Sequence, residues 1–173
     1  MSFQAGIWNY DGKPVDKDFL LNLSSGAAPY APGRGGEYWS QCIGLVARQF
    51  HTTMESRLED QPYVSASGKI LTWDGRLDNR DELMQLTGGQ DRVVSDLELV
   101  AAAFDCWGKE CFAKLLGDWA VTVWDPATKT LTLARDYMGI RHLFYYPKRS
   151  SLLWASHLES LATCGDRFTL CEE

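Results

Sequence analysis

The chain has 173 residues, which is the usual size of one domain. Hydrophobic residues make up 45% of the sequence and aromatic residues 12%, which suits a packed core and excludes an intrinsically disordered chain. The formal net charge of -6 argues against binding nucleic acid or an anionic membrane by bulk electrostatics.

Targeting signals and cysteines indicate the compartment. No run of about 18 apolar residues is present, and the first residues lack the regions of a signal peptide, so we expect a cytoplasmic protein that does not enter a membrane. The five cysteines are irregularly spaced, and they are Cys42, Cys106, Cys111, Cys164 and Cys171. Their number is odd and they form no C-x-x-C pair, so we predict reduced thiols and no metal site.

The first part of the chain predicts strands and one helix, separated by turn signals. In chain order these are a strand at 4–10, a helix that Asp16 caps, a strand at 43–50 and a strand at 69–73. The Gly- and Pro-rich segment 26–36 predicts a mobile loop. The pair Asp74-Gly75 is typical of a turn and predicts the end of the last of these strands.

Two helices follow, and each opens on the pattern of a capping box. Asn79 is followed three residues later by Glu82, and Ser95 is followed by Glu98 at the same spacing. In the second helix the apolar residues recur at helical spacing as far as Gly108, which suits a helix C-terminus.

The remaining chain predicts two strand pairs and a last short helix. The strands lie at 119–124 with 130–134 and at 142–146 with 152–155, and the helix lies at about 157–163. Strands follow one another here instead of alternating with helices. The order therefore predicts an antiparallel α+β fold rather than a doubly wound parallel sheet.

Four segments in a fixed order carry a family resemblance. They are RGGE at 34–37, WDGRLDN at 73–79, SDLE at 95–98, and a block at 116–156 that contains LGDWA, WD, ARDYMGIRHLFYY and AS. These resemble the R-G-P-D, N-G-E-I-Y-N, S-D-T-E and G-x-F-A, W-D, A-R-D-x-x-G-x-x-P-L-Y-Y, A-S-E motifs of the class II glutamine amidotransferase domain of asparagine synthetases. The resemblance covers nearly the whole chain and includes degenerate relatives such as the N-terminal domain of β-lactam synthetases.

The resemblance implies an Ntn-hydrolase fold, an αββα sandwich of two mostly antiparallel sheets, in a single domain over 1–173. In family members an N-terminal cysteine attacks the side-chain amide of glutamine, with its own α-amine as the base. The ammonia travels to a synthetase domain, marked by an S-G-G-x-D-S loop, that adenylates a carboxylate with ATP. That loop is missing here, so we expect part of a longer protein or a stand-alone relic. The partner would be a synthetase domain or subunit that alone binds ATP and Mg, and this domain would need no cofactor.

Three positions depart from the family pattern. Ser2 stands at the nucleophilic cysteine, and a serine needs its base more than a thiol does, yet the α-amine of Ser2 is free only if Met1 is removed. Asp74 stands at the oxyanion-hole asparagine, where an ionised carboxylate cannot donate a hydrogen bond, and loss of one donor costs on the order of 10²–10³ in rate. Gln49 stands at the arginine that binds the substrate carboxylate, and neighbouring Arg48 is expected to face the opposite side of its strand.

Two positions keep the family residue. Gly75 offers a backbone N–H to the oxyanion, and Asp96 matches the aspartate that holds the α-amino group of glutamine in family members. Asp96 also has a simpler interpretation, because a carboxylate is favourable in the first turn of any helix.

Three functions therefore stay open. The first is a domain without useful glutaminase activity that supports the folding or docking of an amide-forming synthetase. The second is a working amidohydrolase that supplies ammonia for asparagine synthesis with Ser2 as its nucleophile. The third is a non-catalytic module that binds glutamine or a similar amino acid through Asp96 and Gly75.

Overall fold

A computed structural model describes residues 1–88 and 93–163. The strands are β1 (Phe3–Asn9), β2 (Gly35–Trp39), β3 (Ile43–Arg48), β4 (Tyr63–Val64), β5 (Ile70–Leu77), β6 (Gly117–Asp125), β7 (Thr130–Arg135), β8 (Phe144–Pro147) and β9 (Ser151–Ala155). The helices are α1 (Lys17–Gly26), α2 (Arg80–Leu86), α3 (Asp96–Trp107) and α4 (Leu158–Ala162), with short 3₁₀ helices at Glu55–Leu58 and Gly108–Lys114.

Two antiparallel sheets form the centre of the molecule. The first has the strand order β2-β3-β1-β9-β8 and the second has the order β4-β5-β6-β7. Helices α1 and α4 pack on the first sheet, and α3, which carries α2 against it, packs on the second. The predicted αββα sandwich of an α+β protein is thus confirmed.

The hydrophobic side chains divide into three layers because successive strand residues face opposite sides of a sheet. In β1, Phe3, Ala5 and Ile7 belong to the layer between the first sheet and its helices. A second layer lies between the second sheet and α3. A third cluster, which includes Leu45 and Trp154, fills the space between the two sheets.

One buried glutamine joins the two sheets next to the chain start. Gln4 lies in β1 and is fully buried. Its Oε1 accepts hydrogen bonds from Thr72 Oγ1 at 2.7 Å and Thr122 Oγ1 at 2.8 Å, and its Nε2 donates to the Ala120 carbonyl at 3.1 Å. Because every polar atom of this amide is paired, its burial is not costly. The bonds hold the beginning of β1 against β5 and β6.

The predicted turn at Asp74-Gly75 is wrong. Both residues lie inside β5, where Asp74 pairs with Ala120 and Gly75 with Trp119 of β6. The strand continues because pairing with β6 gives the backbone N–H and C=O groups hydrogen-bond partners. This pairing outweighs the preference of Asp-Gly for a turn. Glycine is required at 75 since a Cβ there would lie within 2.8 Å of Trp119 and Trp73 atoms. Asp74 is therefore presented from a strand and not from a flexible turn.

The helix caps agree with the sequence in two cases out of three. Asp16 caps α1, and the Ser95–Glu98 capping box opens α3. The box predicted for α2 is wrong, because the Asn79 side chain makes no capping bond. Its Nδ2 donates to the Glu82 side chain at 3.0 Å and to the Lys114 carbonyl at 2.9 Å, and its Oδ1 accepts a hydrogen bond from the Leu116 N–H at 3.0 Å. Asn79 thus fastens the end of β5 to the segment that leads into β6.

The Gly- and Pro-rich segment is tied down along its length. Arg48 Nε donates to the Ala31 carbonyl at 3.0 Å and Nη2 donates to the Gly33 carbonyl at 3.1 Å. The segment also leads into β2, an edge strand. The sequence does not predict β2, because its first two residues are glycines.

Three of the five cysteines lie within the described residues. Cys42, Cys106 and Cys111 are free thiols, while Cys164 and Cys171 lie outside the described residues. Within 1–88 and 93–163 no helix is long and apolar enough to cross a membrane.

Candidate functional site

A small cavity of about 20 Å³ lies where the start of β1 meets β5, the segment 50–59 and the beginning of α3. Four of the five predicted site residues line it, namely Ser2, Asp74, Gly75 and Asp96. They are separated by up to 94 positions in sequence (96 − 2) and meet only in the fold. The fifth predicted residue, Gln49, is not among the lining residues.

Ser2 is held at both its nitrogen and its hydroxyl. Its backbone N–H donates to Asp74 Oδ1 at 2.8 Å, and its Oγ accepts a hydrogen bond from the Phe50 N–H at 3.1 Å. Since Met1 precedes it here, the Ser2 nitrogen belongs to a peptide bond. The hydroxyl of Ser2 is thus used as an acceptor, and its own nitrogen is a donor rather than a base.

Asp74 is a buried carboxylate that is balanced by one arginine. Its residue is only 3% exposed, and burial raises the pKa of its carboxyl above the ordinary value. The Arg141 guanidinium, with Nη1 at 3.7 Å from Oδ1, and the Ser2 N–H act in the opposite direction on this pKa. The resemblance places an oxyanion donor at this position. The chain instead has the Asp74 carboxylate, which accepts a hydrogen bond and is paired with Arg141.

Gln49 points away from the cavity. The residue is buried, and its Nε2 donates to the Glu59 carbonyl at 2.6 Å. Arg48 is committed to the Gly/Pro-rich segment, as the sequence alternation predicts. Neither residue offers a charge to a ligand carboxylate in this arrangement. Gln49 instead anchors the segment 50–59 at its Glu59 end.

Asp96 already has partners for both of its oxygens. Oδ2 accepts a hydrogen bond from the Leu77 N–H at 2.9 Å, and Oδ1 forms an ion pair with Arg80. Arg80 Nη2 also donates to the Val94 carbonyl at 2.5 Å. Asp96 is the first residue of α3, where a carboxylate is favourable in any helix, and it also lines the cavity. Its position is therefore consistent with both interpretations given by the sequence.

Three charged residues of this region carry no signal in the sequence. Glu59 and Arg141 line the cavity, and Arg80 lies behind Asp96. Arg141 falls at an unspecified position of the family motif, while Glu59 and Arg80 belong to no motif. Their identity depends on which distant residues the fold brings next to them, and no spacing rule contains that information.

Glu59 is a carboxyl of the cavity with a strongly raised pKa. Burial raises its pKa to about 7, the negative charge of Asp74 adds to the effect, and the Gln61 amide and Arg80 oppose it. Its Oε2 accepts a hydrogen bond from Gln61 Nε2 at 3.1 Å, and Gln61 also pairs with the backbone of Trp73. The 50–59 segment is thereby fastened to β5 at a second point.

Replacing Glu59 by glutamine should remove a pH dependence of stability. The folded pKa of about 7 exceeds the ordinary value of 4.5, so the native state holds more protons than the unfolded state between these pH values. The Glu59 contribution to the free energy of unfolding therefore falls as the pH rises through this window. We expect the variant to exceed the parent by about 1–3 kcal/mol at pH 8, and the gain to vanish at low pH.

Urea unfolding at pH 4.5, 6 and 8 measures this difference. The exposed Glu110→Gln is the matched control, because it removes a carboxyl that is not buried. Equal pH slopes for the parent and the Glu59 variant would show that Glu59 ionises normally in the fold.

Comparison with known proteins places the chain in a family. Residues 47–163 match the family model of the glutamine amidotransferase domain. The chain resembles glutamine-hydrolyzing asparagine synthetase 2 of Bacillus subtilis, with 28% identity over 163 residues that cover 91% of this chain and 22% of that protein. It also resembles amidase chry2 of Gibberella zeae, with 34% identity over 167 residues that cover 94% of this chain and 25% of that protein.

A solved structure agrees in fold. The glutamine phosphoribosylpyrophosphate amidotransferase of B. subtilis, complexed with ADP and GMP, superposes with a TM-score of 0.69 at 18% identity, over 94% of this chain and 43% of that chain. The present chain spans about a quarter or less of the length of the curated relatives named above. Together with the order of its motifs, the matched family model shows that this chain belongs to the glutamine amidotransferase domain family and is related to the asparagine synthetases.

Proposed function

We propose that this chain is the glutaminase-deficient, amidotransferase-like domain of an ATP-dependent amide-forming enzyme of the asparagine synthetase type. One observation carries the proposal: the Asp74 carboxylate accepts the Ser2 N–H at 2.8 Å, at the position where the resemblance places an oxyanion donor.

The site lacks a donor for the oxyanion of the reaction. Attack on an amide puts negative charge on the substrate oxygen, which needs donors at about 2.7–3.1 Å. An ionised carboxylate only accepts hydrogen bonds. Burial raises the pKa of Asp74, while Arg141 and the Ser2 N–H act against this shift, and whenever Asp74 is ionised the developing charge meets a like charge. The remaining contribution of the Gly75 N–H does not compensate for this repulsion.

Ser2 lacks a general base whether or not Met1 is removed. With Met1 in place, the Ser2 nitrogen is an amide and cannot accept a proton. With Met1 removed, the new α-amine would lie beside the Asp74 carboxylate that its nitrogen already contacts. An adjacent opposite charge favours the protonated amine, which cannot take the proton of the Ser2 hydroxyl.

The cavity is too small for glutamine. A cavity of about 20 Å³ holds about one water molecule, while pockets for small organic ligands measure about 300 Å³ or more. Glutamine would enter only if the 50–59 segment moved. Three hydrogen bonds hold this segment and its flanks in place. The Phe50 N–H binds Ser2, the Gln49 side chain binds the Glu59 carbonyl, and the Gln61 side chain binds the backbone of β5.

The role left to such a domain is to support the folding or docking of the synthetase part. The curated relatives extend far beyond the matched region, so a synthetase domain or subunit is the partner we propose. ATP and Mg would bind to that partner.

A covalent labelling experiment tests the loss of the nucleophile. The protein is incubated with 6-diazo-5-oxo-L-norleucine, an electrophilic analogue of glutamine, and its intact mass is measured by mass spectrometry. We expect no adduct, and the same spectrum reports whether Met1 is present. A variant with Ser2→Cys, Asp74→Asn and Gln49→Arg is the positive control. An adduct on Ser2 of the unaltered protein would favour a working amidohydrolase instead.

A further inference from the structure

A groove of about 700 Å³ opens on the flank where both sheets end. β7 is the last strand of the second sheet, β8 is the last strand of the first, and α4 forms the third wall. Leu133 and Leu143 line the groove and pack against the cluster between the sheets. Leu158 lines it from α4 and is 58% exposed. The apolar layer between the sheets is therefore accessible to a ligand from this flank.

The size and lining of the groove suit an organic molecule. Pockets for small ligands measure about 300–1,000 Å³, and most of their lining is apolar, with a few polar groups that orient the ligand. The groove follows this pattern, since Phe144 and Leu161 add to the leucines that line it. None of the described residues that line the cavity at Ser2 also lines this groove. The groove is thus separate from the candidate functional site.

The groove carries one positive charge. Among the described residues that line it, Arg135 alone is charged. Arg135 is the last residue of β7, and its guanidinium has no hydrogen bond or ion pair within the described part of the chain. The chain as a whole has a net charge of -6, so a groove with a cation and without an acid stands out from its surface. This charge favours a ligand with an anionic head group.

The turn after β7 fixes the place of this guanidinium. Asp136 is buried, and its carboxylate accepts hydrogen bonds from the Trp119 N–H at 3.1 Å and the Gly139 N–H at 2.8 Å. Gly139 has a φ of 65°, and a Cβ there would lie 3.2 Å from Arg135 Cζ and 3.3 Å from its Nη1. The glycine therefore leaves room for the guanidinium beside the turn. A planar guanidinium offers paired N–H donors that match the two oxygens of a carboxylate.

We propose that this groove binds an apolar carboxylate, of the class of medium-chain fatty acids, with its chain on the leucines and its carboxylate on Arg135. A second copy of the chain on this surface would bring two unpaired arginines to one apolar interface, so an anionic ligand fits the groove better. The inference does not depend on the proposed function, because the groove and the cavity at Ser2 share no described lining residue.

Titration calorimetry of the unaltered protein at pH 8 tests the proposal with fatty acids below their micelle concentrations. We expect hexanoate, octanoate and decanoate to bind saturably at one site. Each added pair of methylene groups should tighten binding about tenfold, because the chain is buried on apolar side chains. 1-Octanol keeps the chain without the charge, and octylammonium reverses the charge. Both should bind at least about tenfold more weakly than octanoate.

Two variants locate the site. Arg135→Gln should weaken octanoate binding at least about tenfold and leave 1-octanol binding unchanged, because it removes the charge and keeps a polar side chain. Ala162→Trp adds bulk at an exposed position of α4 that lines the groove, and it should abolish the binding of both. The control Arg149→Gln removes an exposed arginine that is not among the lining residues, and it should leave both affinities unchanged.

Absence of saturable binding to the unaltered protein, equal affinity for octanoate and 1-octanol, or octanoate binding that survives either substitution would overturn the inference. Sedimentation velocity examines the competing occupant. A dimer that Ala162→Trp dissociates and octanoate does not would assign the groove to a second copy, which also overturns it.

If a variant does not fold, methyl NMR of the unaltered protein decides. Octanoate should shift the methyl signals of Leu133, Leu143 and Leu158, and shifts confined to other residues would contradict the proposed site. Glutamine turnover by the unaltered protein would instead overturn the proposed function and leave this binding unaffected, so the two failures are distinct.

Discussion

Replacing Arg141 by methionine should lower the free energy of unfolding by about 3 kcal/mol at pH 7. Methionine keeps much of the side-chain volume but removes the charge that faces Asp74. Asp74, with its side chain 5% exposed, then loses the arginine that pairs with it and keeps the hydrogen bond from the Ser2 N–H, with the N-terminal amine and His157 as weaker positive influences. An uncompensated buried carboxylate is far more costly than a lost surface ion pair. Urea unfolding followed by fluorescence measures the loss.

The pH dependence identifies the cause of that loss. As the pH falls, Asp74 becomes protonated and its charge disappears, so the difference between variant and parent should shrink. Burial already raises the pKa of Asp74, which moves this change toward neutral pH. Adding Asp74→Asn to Arg141→Met should recover part of the stability, because the two residues interact directly. Arg149→Met is the surface control. An equal loss in that control, or additive losses in the double variant, would contradict the pairing.

Asp74→Asn should raise glutaminase activity by about 10²–10³ in a background of Ser2→Cys and Gln49→Arg. The background supplies a thiol nucleophile and restores the arginine that the resemblance places at the glutamine carboxylate. With Asp74 still present, the carboxylate repels the oxyanion and holds the N-terminal amine protonated. Asparagine removes both effects and adds a donor. The measurement is kcat for ammonia release, in protein whose Met1 removal has been verified by mass.

The exposed Asp81→Asn in the same background is the matched control, since it also removes one negative charge. It should leave kcat unchanged. Equal rates with aspartate and asparagine at 74 would mean that this position does not determine the loss of hydrolysis.

Much of the fold can be predicted from local signals. The Ser95–Glu98 box and the helical spacing that follows predict α3 because all of these signals lie within one element. The strand at Asp74-Gly75 could not be predicted in this way. Its continuation depends on a ladder with β6, more than 40 residues away, and local turn propensity has no access to that partner.

The residues of the site, too, could be predicted only in part from the sequence. The ordered motifs contain Asp74, Gly75 and Asp96, the alignment of Ala5-Gly6-Ile7 with the family's A-G-I places Ser2, and the structure brings these four residues together. Whether they bind or react stays a prediction. Resemblance could not show that Gln49 turns to Glu59, or that Arg80 and Arg141 neutralise Asp96 and Asp74. Such pairings follow from distances in the fold and from the charge left after a substitution.

The most direct test of the account is the rate of glutamine hydrolysis by the unaltered protein, measured on a sample whose N-terminus has been defined by intact mass. The sample is assayed with Met1 present and again after aminopeptidase removal, beside Ser2→Ala. We expect that neither form releases ammonia faster than Ser2→Ala. A rate that exceeds this baseline and is lost on Ser2→Ala would contradict the proposed loss of hydrolysis.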